Sequence, residues 1–339
     1  MTNPSSINEA VLSGHTADIY FSRTQAILRA EGLDPVVTME IFPAADGILC
    51  GVNEVFDLLA QVLPDDSEVW ALSEGQAMVA KEVVLRITAP YSAFGLYETA
   101  ILGMLSQTSG WATEARACVE AAEGIPIVSF GARHVHPHVV ARLEYAAIVG
   151  GCAGCATPAG AELAGLEAIG TIPHAMILIF GDTVEATLAF DRHMPTEVKR
   201  VALVDTFKDE AEESLRVAEA LGRRLWGVRL DTPPERGRVT PDMVKEVRAR
   251  LDQAGYTWVK IVVSGGVDAE RIRLFREQGA PVDLFGIGSA ISSAPPTDFT
   301  GDLKVVAGQP IAKRGRIPGI TANPRLKRVA LAKVKEGTH

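Results

Sequence analysis

Between about Glu120 and Ser293 the chain repeats one pattern: a short, continuously apolar run, a turn rich in polar residues and glycine, and then an amphipathic stretch. Apolar runs that do not alternate with polar residues suit strands buried on both faces, as in a parallel sheet covered by helices. The runs are Ile125 to Ser129, Ala146 to Val149, Ala168 to Ile172, Val201 to Val204, Leu225 to Leu230, Trp258 to Val263 and Val282 to Phe285. Together they predict an irregular or incomplete TIM-like α/β barrel. Helix punctuation falls between them. Thr240 with Pro241 reads as a start and Gly255 as a left-handed stop, and Asp268 and Gly279 bracket the next helix in the same way.

Before about Arg116 the rhythm changes. Ile87 to Pro90 reads as extended and Leu96 to Leu105 as helical, which predicts a second α/β domain over residues 1–115 beside a barrel domain over 116–293. After Ala294-Pro295-Pro296, residues 294–339 contain the β-like pieces Leu303 to Ala307 and Pro310 to Lys313. These are expected to return to the N-terminal domain as its missing strands.

Charge and cysteine content narrow the function. A net charge of −9 argues against a general grip on nucleic acid or anionic membrane, because both need a basic face. The N-terminal MTNPSSINEA lacks a basic segment followed by an apolar core, and the apolar runs are far shorter than the ~20 residues that cross a bilayer. A cytoplasmic protein is expected. Its four cysteines do not amount to a disulfide framework. Cys152 and Cys155 form one CxxC with no second ligand pair nearby, so it reads as a packing turn or, less simply, as a metal site. His134, His136 and His138 alternate and would share one face of an extended strand, but no carboxylate or cysteine accompanies them.

In a parallel barrel the loops after the strands build the site. Here those loops hold Phe130-Gly131-Ala132-Arg133-His134, Pro173-His174, Asp205-Thr206, Arg229 and Asp231, Ser264-Gly265-Gly266, and Gly286-Ile287-Gly288-Ser289. Glycine lets backbone N–H groups approach an anion, and a following helix adds positive potential, so the last two loops suit a phosphate as well as simple tight turning. Arg133 and Arg229 offer forked donors for phosphate or carboxylate, or structural ion pairs. Asp231, two residues beyond Arg229, could hold diol hydroxyls or a hydrated magnesium ion. His174 at a strand end is open to a structural or a catalytic reading.

In order along the chain, Thr16 to Phe21, Glu98-Thr99 with Ser109 to Thr113, FGARH at Phe130, GTIPH at Gly170, Val204-Asp205-Thr206, GVRLD at Gly227, VSGG at Val263 and FGIG at Phe285 resemble the nicotinate phosphoribosyltransferases, from about Gly14 to Gly319. The resemblance implies that nicotinate and phosphoribosyl pyrophosphate are converted to nicotinate mononucleotide and pyrophosphate in NAD salvage. It further implies that Phe130 stacks on the pyridine ring and that Tyr20 of a neighbouring subunit covers the other face, with Asp18 and Thr157 also at the nicotinate. The active unit would then be a homodimer or a higher homo-oligomer with shared sites. By the same resemblance Arg133, Asp205, Arg229 and Asp231 position the phosphoribosyl group, and Ser264, Gly265, Gly266, Gly286 and Gly288 hold its 5′-phosphate. His174 matches the histidine phosphorylated when the reaction is coupled to ATP, and Mg2+ accompanies the departing pyrophosphate. Relatives that use nicotinamide place an aspartate near Ala156-Thr157, where this chain has no charge, which favours the acid as substrate.

Quinolinate phosphoribosyltransferase shares the fold but would need more cations around the ring, and a nicotinamide enzyme or a non-catalytic nucleotide sensor are further possibilities. Lys260 lies within the sixth apolar run, where an inward lysine could contact a phosphate or form the Schiff base of an aldolase.

Overall fold

The computed structural model describes residues 7–331, so Met1 to Ser6 of the stretch read for a leader lie outside the described residues. Its strands are β1 (Val36–Pro43), β2 (Gly47–Ile48), β3 (Glu68–Ala71), β4 (Ala77–Met78), β5 (Leu85–Pro90), β6 (Ile127–Ser129), β7 (Gly154–Cys155), β8 (Arg200–Leu203), β9 (Leu225–Leu230), β10 (Lys260–Val263), β11 (Leu284–Ile287), β12 (Phe299–Val306), β13 (Gln309–Pro310) and β14 (Lys327–Arg328). The chain divides into two compact units, Met1–Thr113 with Ala294–His339, and Glu114–Ser293.

The first unit is built on a six-stranded sheet in the order β13-β12-β1-β5-β3-β14, and its pairings are antiparallel. The helix Val52–Val62 buries Val52, Val55, Leu58 and Leu59, a spacing that puts them on one stripe. That stripe packs in one apolar cluster with Met39, Ile41, Leu85 and Ile87 of the sheet. Residues after Ala294 supply β12, β13 and β14, so both chain ends contribute to this core.

The second unit carries a parallel sheet in the order β7-β6-β11-β10-β9-β8, whose edge strands β7 and β8 do not pair with each other. It is therefore an open, incomplete barrel. Val228, Leu230, Ile261, Val263, Phe285 and Ile287 are fully buried, as uninterrupted apolar strands require when both faces are covered. Each such side chain contributes about 1.5–3 kcal/mol on leaving water. The helix Pro241–Gln253 starts at Thr240, whose Oγ1 accepts from the Met243 amide at 3.2 Å, and Gly255 follows it at φ +84°. Asp268 caps Ala269–Glu277, and Gly279 at φ +65° ends it.

Two expected strands are absent. Ala146 to Val149 is the last part of the helix Val140–Gly150. Ala168 to Ile172 belongs to no ladder and keeps one backbone bond to the sheet, from the Ile169 amide to the Cys155 carbonyl at 2.8 Å. The short strand β7 takes the place expected of the first of these. Among the described residues no helix is long and apolar enough to cross a membrane.

Candidate active site

Strand register decides which side chains share the carboxyl end of the second unit. Val263 lies opposite Leu230 and Phe285, and Ser129 opposite Cys155 and Ile287. The residues that follow, Phe130, Ala156, Asp231, Ser264 and Gly286 to Gly288, therefore come together at one end of the sheet.

Arg229 is the hub. Its Nε donates to Ser264 Oγ at 2.8 Å, its Nη1 to Thr171 Oγ1 at 3.2 Å and its Nη2 to Asp231 Oδ2 at 3.0 Å. Ser264 Oγ also donates to Asp231 Oδ1 at 2.7 Å, so both carboxylate oxygens are oriented by neighbours. The carboxylate and the guanidinium are about four-fifths buried, and a charge-assisted pair in such surroundings holds its geometry firmly. Immediately beyond, Gly265 and Gly266 take φ +86° and +67°, a doubly left-handed turn that residues with a Cβ rarely adopt. A Cβ on Gly265 would stand 3.1 Å from Asp231 Oδ1, so the turn lies directly against the carboxylate.

Phe130 packs on Gly286, where a Cβ would come within 2.2 Å of the ring, and the Arg229 guanidinium lies 5.0 Å from the ring centre. Gly288 likewise faces His134 and the Phe130 carbonyl, at 2.9 and 3.0 Å from a hypothetical Cβ. These two glycines, expected to wrap a phosphate, clear space for the Phe130–His134 segment, and neither has a positive φ. Arg133 sits in the 3-10 turn Ala132–His134 and is exposed, with no ion pair among the described residues.

Thr157 is fixed from below. The fully buried Glu144 carboxylate accepts from the Ala156 and Thr157 amides, each at 2.9 Å, and from the Thr157 hydroxyl. Thr157 Oγ1 in turn accepts from the Gly160 amide and caps the helix Pro158–Ala164. No sequence signal links Glu144 to a loop twelve residues away, so its role emerges only from the fold.

His174 opens the helix His174–Phe180 rather than ending a strand, and its Nε2 lies 3.0 Å from Asp205 Oδ2. Burial pushes the Asp205 carboxyl above its ordinary range, an effect that the bond to His174 opposes. Among the described residues Asp205 Oδ1 and Thr206 Oγ1 are buried with no protein partner, so two oxygen atoms of this loop can meet a donor or a cation.

Lys260 and the histidine cluster depart from expectation. Lys260 starts β10 at the amino end of the sheet, is exposed, and binds Asp283 Oδ1 at 2.9 Å, so it reaches neither the Arg229 network nor a buried Schiff-base position. His136 and His138 flank the start of the 3-10 turn Pro137–Val139 instead of lying on a strand, with ring centres 4.8 Å apart. Among the described residues no three histidine, cysteine or carboxylate side chains are grouped to hold a metal. Cys152 and Cys155 are buried free thiols that burial pushes up to about 12 and about 11, which makes them inert packing groups. Asp18 and Tyr20 belong to the first unit. There Asp18 Oδ2 accepts from Thr99 Oγ1 at 2.9 Å and the Tyr20 hydroxyl at 3.4 Å, and Tyr20 is 56% exposed.

Residues 18–109 match the N-terminal domain of quinolinate phosphoribosyl transferase, and residues 111–302 match its C-terminal domain. The chain belongs to the quinolinate phosphoribosyl transferase family. Within that family the relatives differ in name. A nicotinate phosphoribosyltransferase of Mycobacterium tuberculosis is 33% identical over 250 residues, covering 71% of this chain and 52% of its own length. One from Bacillus subtilis is 28% identical over 263 residues, covering 75% and 52%. The chain thus spans about half the length of these curated relatives. Among solved structures, a nicotinate-nucleotide pyrophosphorylase from Pyrococcus furiosus is 45% identical, with a TM-score of 0.86 over 93% of this chain and 81% of that one. Human nicotinic acid phosphoribosyltransferase, at 20% identity, shares the fold with a TM-score of 0.75 over 90% and 77%.

Proposed function

We propose that this chain transfers the phosphoribosyl group of phosphoribosyl pyrophosphate to nicotinate, releasing pyrophosphate and forming nicotinate mononucleotide for NAD synthesis. The observation that carries the reading is the Arg229–Asp231–Ser264 network set against the left-handed Gly265–Gly266 turn. The Gly265 and Gly266 amides have no backbone partner among the described residues and suit a phosphate, while Asp231 beside them suits ribose hydroxyls. Displacement at the anomeric carbon develops positive charge on the sugar, so the protein's task is to orient two reactants and place anionic groups nearby. Asp231 is the carboxylate in position to do so.

The nicotinate ring would lie on Phe130, whose other side is backed by Gly286. Three residues beyond Phe130, Arg133 has no ion pair among the described residues, whereas Arg229 is committed to three bonds. A guanidinium left to meet one carboxylate supports nicotinate over the dicarboxylate quinolinate. The curated relatives named nicotinate phosphoribosyltransferase support the same choice. Tyr20 with its neighbours Ile19 and Ile27, both 62% exposed, supports a dimer in which the partner's tyrosine covers the ring.

Asp205 Oδ1 and Thr206 Oγ1 offer oxygen donors that fit a hydrated Mg2+, an ion that keeps several waters and binds through one or two carboxylates plus substrate phosphates. Bound there, Mg2+ would neutralise the leaving pyrophosphate. With its Nε2–H donated to Asp205, His174 would keep a lone pair on Nδ1, which suits it to accept a phosphoryl group from ATP.

The test is mononucleotide formation from nicotinate, quinolinate and nicotinamide, each with and without ATP. Nicotinate should be the best substrate by kcat/KM. Preference for quinolinate would overturn the substrate assignment, and no pyrophosphate release with any of the three would overturn the activity.

A further inference from the structure

The loop between β9 and the helix Pro241–Gln253 presents a cation that neither the ion-pair network nor the reaction outlined above uses. Arg238 stands at φ +64°, a left-handed conformation uncommon for a residue with a side chain. Its guanidinium lies on the Gly265–Gly266 turn so closely that a Cβ on Gly266 would come within 1.8 Å of Arg238 Nη1. The loop that carries it is held on both sides. At one end the buried Glu210 carboxylate accepts from Thr232 Oγ1 at 2.7 Å and Arg236 Nη1 at 2.9 Å. At the other, Arg271 Nη2 donates to the Val239 carbonyl at 2.7 Å.

Arg238 itself is given no anion. No carboxylate pairs with it among the described residues, while its neighbours Arg236 and Arg271 are engaged with Glu210 and the Val239 carbonyl. A second guanidinium stands close by instead: Arg271 is held below the ordinary arginine range by burial and then by the charge of Arg238, with Asp268 opposing. Arg271 Nε is also buried without a partner among the described residues. Two like charges packed together beside unbonded glycine amides form an arrangement that becomes favourable when a dianion enters. A strained backbone and an unneutralised cation in one loop mark a place where stability is given up for binding.

The geometry points to Arg238 as a further ligand of the phosphoribosyl 5′-phosphate, closing over the Gly265–Gly266 turn with Arg271 behind it. This rests on the phosphoribosyl reading given above and adds to it the group that completes the phosphate's coordination. The left-handed backbone makes glycine the informative replacement, since Arg238→Gly removes the guanidinium and suits the local φ.

Binding of ribose 5-phosphate, and of ribose as the uncharged control, is measured by titration calorimetry on the full chain, alongside thermal melts and steady-state kinetics. Arg238→Gly should melt no lower than the parent and bind ribose 5-phosphate about tenfold more weakly, as loss of a charge-assisted contact implies. KM for phosphoribosyl pyrophosphate should rise with it, and KM for nicotinate should stay unchanged. Arg238→Lys, which keeps the charge but not the fork, should recover part of the loss. A change of less than threefold in ribose 5-phosphate affinity for Arg238→Gly overturns the assignment, as does an equal rise in both KM values. If the parent protein itself binds no ribose 5-phosphate, the phosphoribosyl reading fails, and that result is distinct from a parent that binds it and a variant that binds it equally well.

Discussion

Gly286→Ala isolates the surface on which the pyridine ring is proposed to rest. The new methyl would sit 2.2 Å from Phe130 Cε2 and 2.5 Å from Cδ2, less than any tolerated contact, so the ring must leave its present position. Overpacking of a tight site costs about 1–3 kcal/mol, but the Phe130 ring is half-buried and can swing, so the lower end of that range applies. The consequence for binding is specific. Aromatic stacking contributes about 0.5–1.5 kcal/mol beyond area burial, so loss of the platform should raise KM for nicotinate roughly 2- to 12-fold. KM for phosphoribosyl pyrophosphate should change far less. Because Phe130 is already displaced, Phe130→Ala in the Gly286→Ala background should add little, whereas alone it should weaken nicotinate binding and lower turnover. Steady-state kinetics on the two single variants and the double variant reads all of this. Additive losses, or an unchanged nicotinate KM in Gly286→Ala, would refute the claim that Gly286 acts by seating Phe130.

Three other outcomes follow from the geometry. Glu144→Gln should lower stability by about 2–3 kcal/mol in urea unfolding, because one carboxylate satisfies two amides and a hydroxyl and an amide side chain cannot accept all three. Burial, with Asp302 nearby, raises the Glu98 carboxyl to about 7, and Lys313 offsets part of this. Its folded pKa lies above the unfolded value, so its contribution is complete below about pH 4.5 and is lost as pH rises through 7. Glu98→Gln should therefore flatten the melting temperature across pH 5 to 7 and gain most relative to the parent at pH 8. Lys260→Met should leave kcat and KM within about twofold, since an exposed pair such as Lys260–Asp283 is worth about 0–1 kcal/mol. A collapse of activity in that variant would restore a role for Lys260 in the chemistry.

Legibility in the sequence tracked whether an apolar run was long and bounded. Leu225 to Leu230 matches β9 residue for residue, because Arg224 and Asp231 bound it and Arg229 is the one charged residue inside it. Ala146 to Val149 suits a strand and a helix equally, because four apolar residues carry no period, and here they close an alanine-rich helix that Gly151 ends at φ +111°. The true strand β7, Gly154–Cys155, is too short and too small to signal itself. Lys260 lies inside the apolar run Trp258 to Val263, yet β10 begins only at Lys260, which puts it at the end of the strand opposite the site. The Arg229–Asp231–Ser264 grouping was legible because all three residues end strands that proved adjacent. Arg238 and Glu144 were not, since their roles depend on a left-handed loop and on a buried contact across a turn that no spacing announces.

The most direct trial of the central claim is a crystal structure of this protein soaked with phosphoribosyl pyrophosphate. The 5′-phosphate should lie within hydrogen-bond reach of the Gly265 and Gly266 amides, with ribose hydroxyls on Asp231 and the Arg229 bonds intact. A sugar phosphate bound away from that turn, with Asp231 still satisfied only by Arg229 and Ser264, would contradict the account.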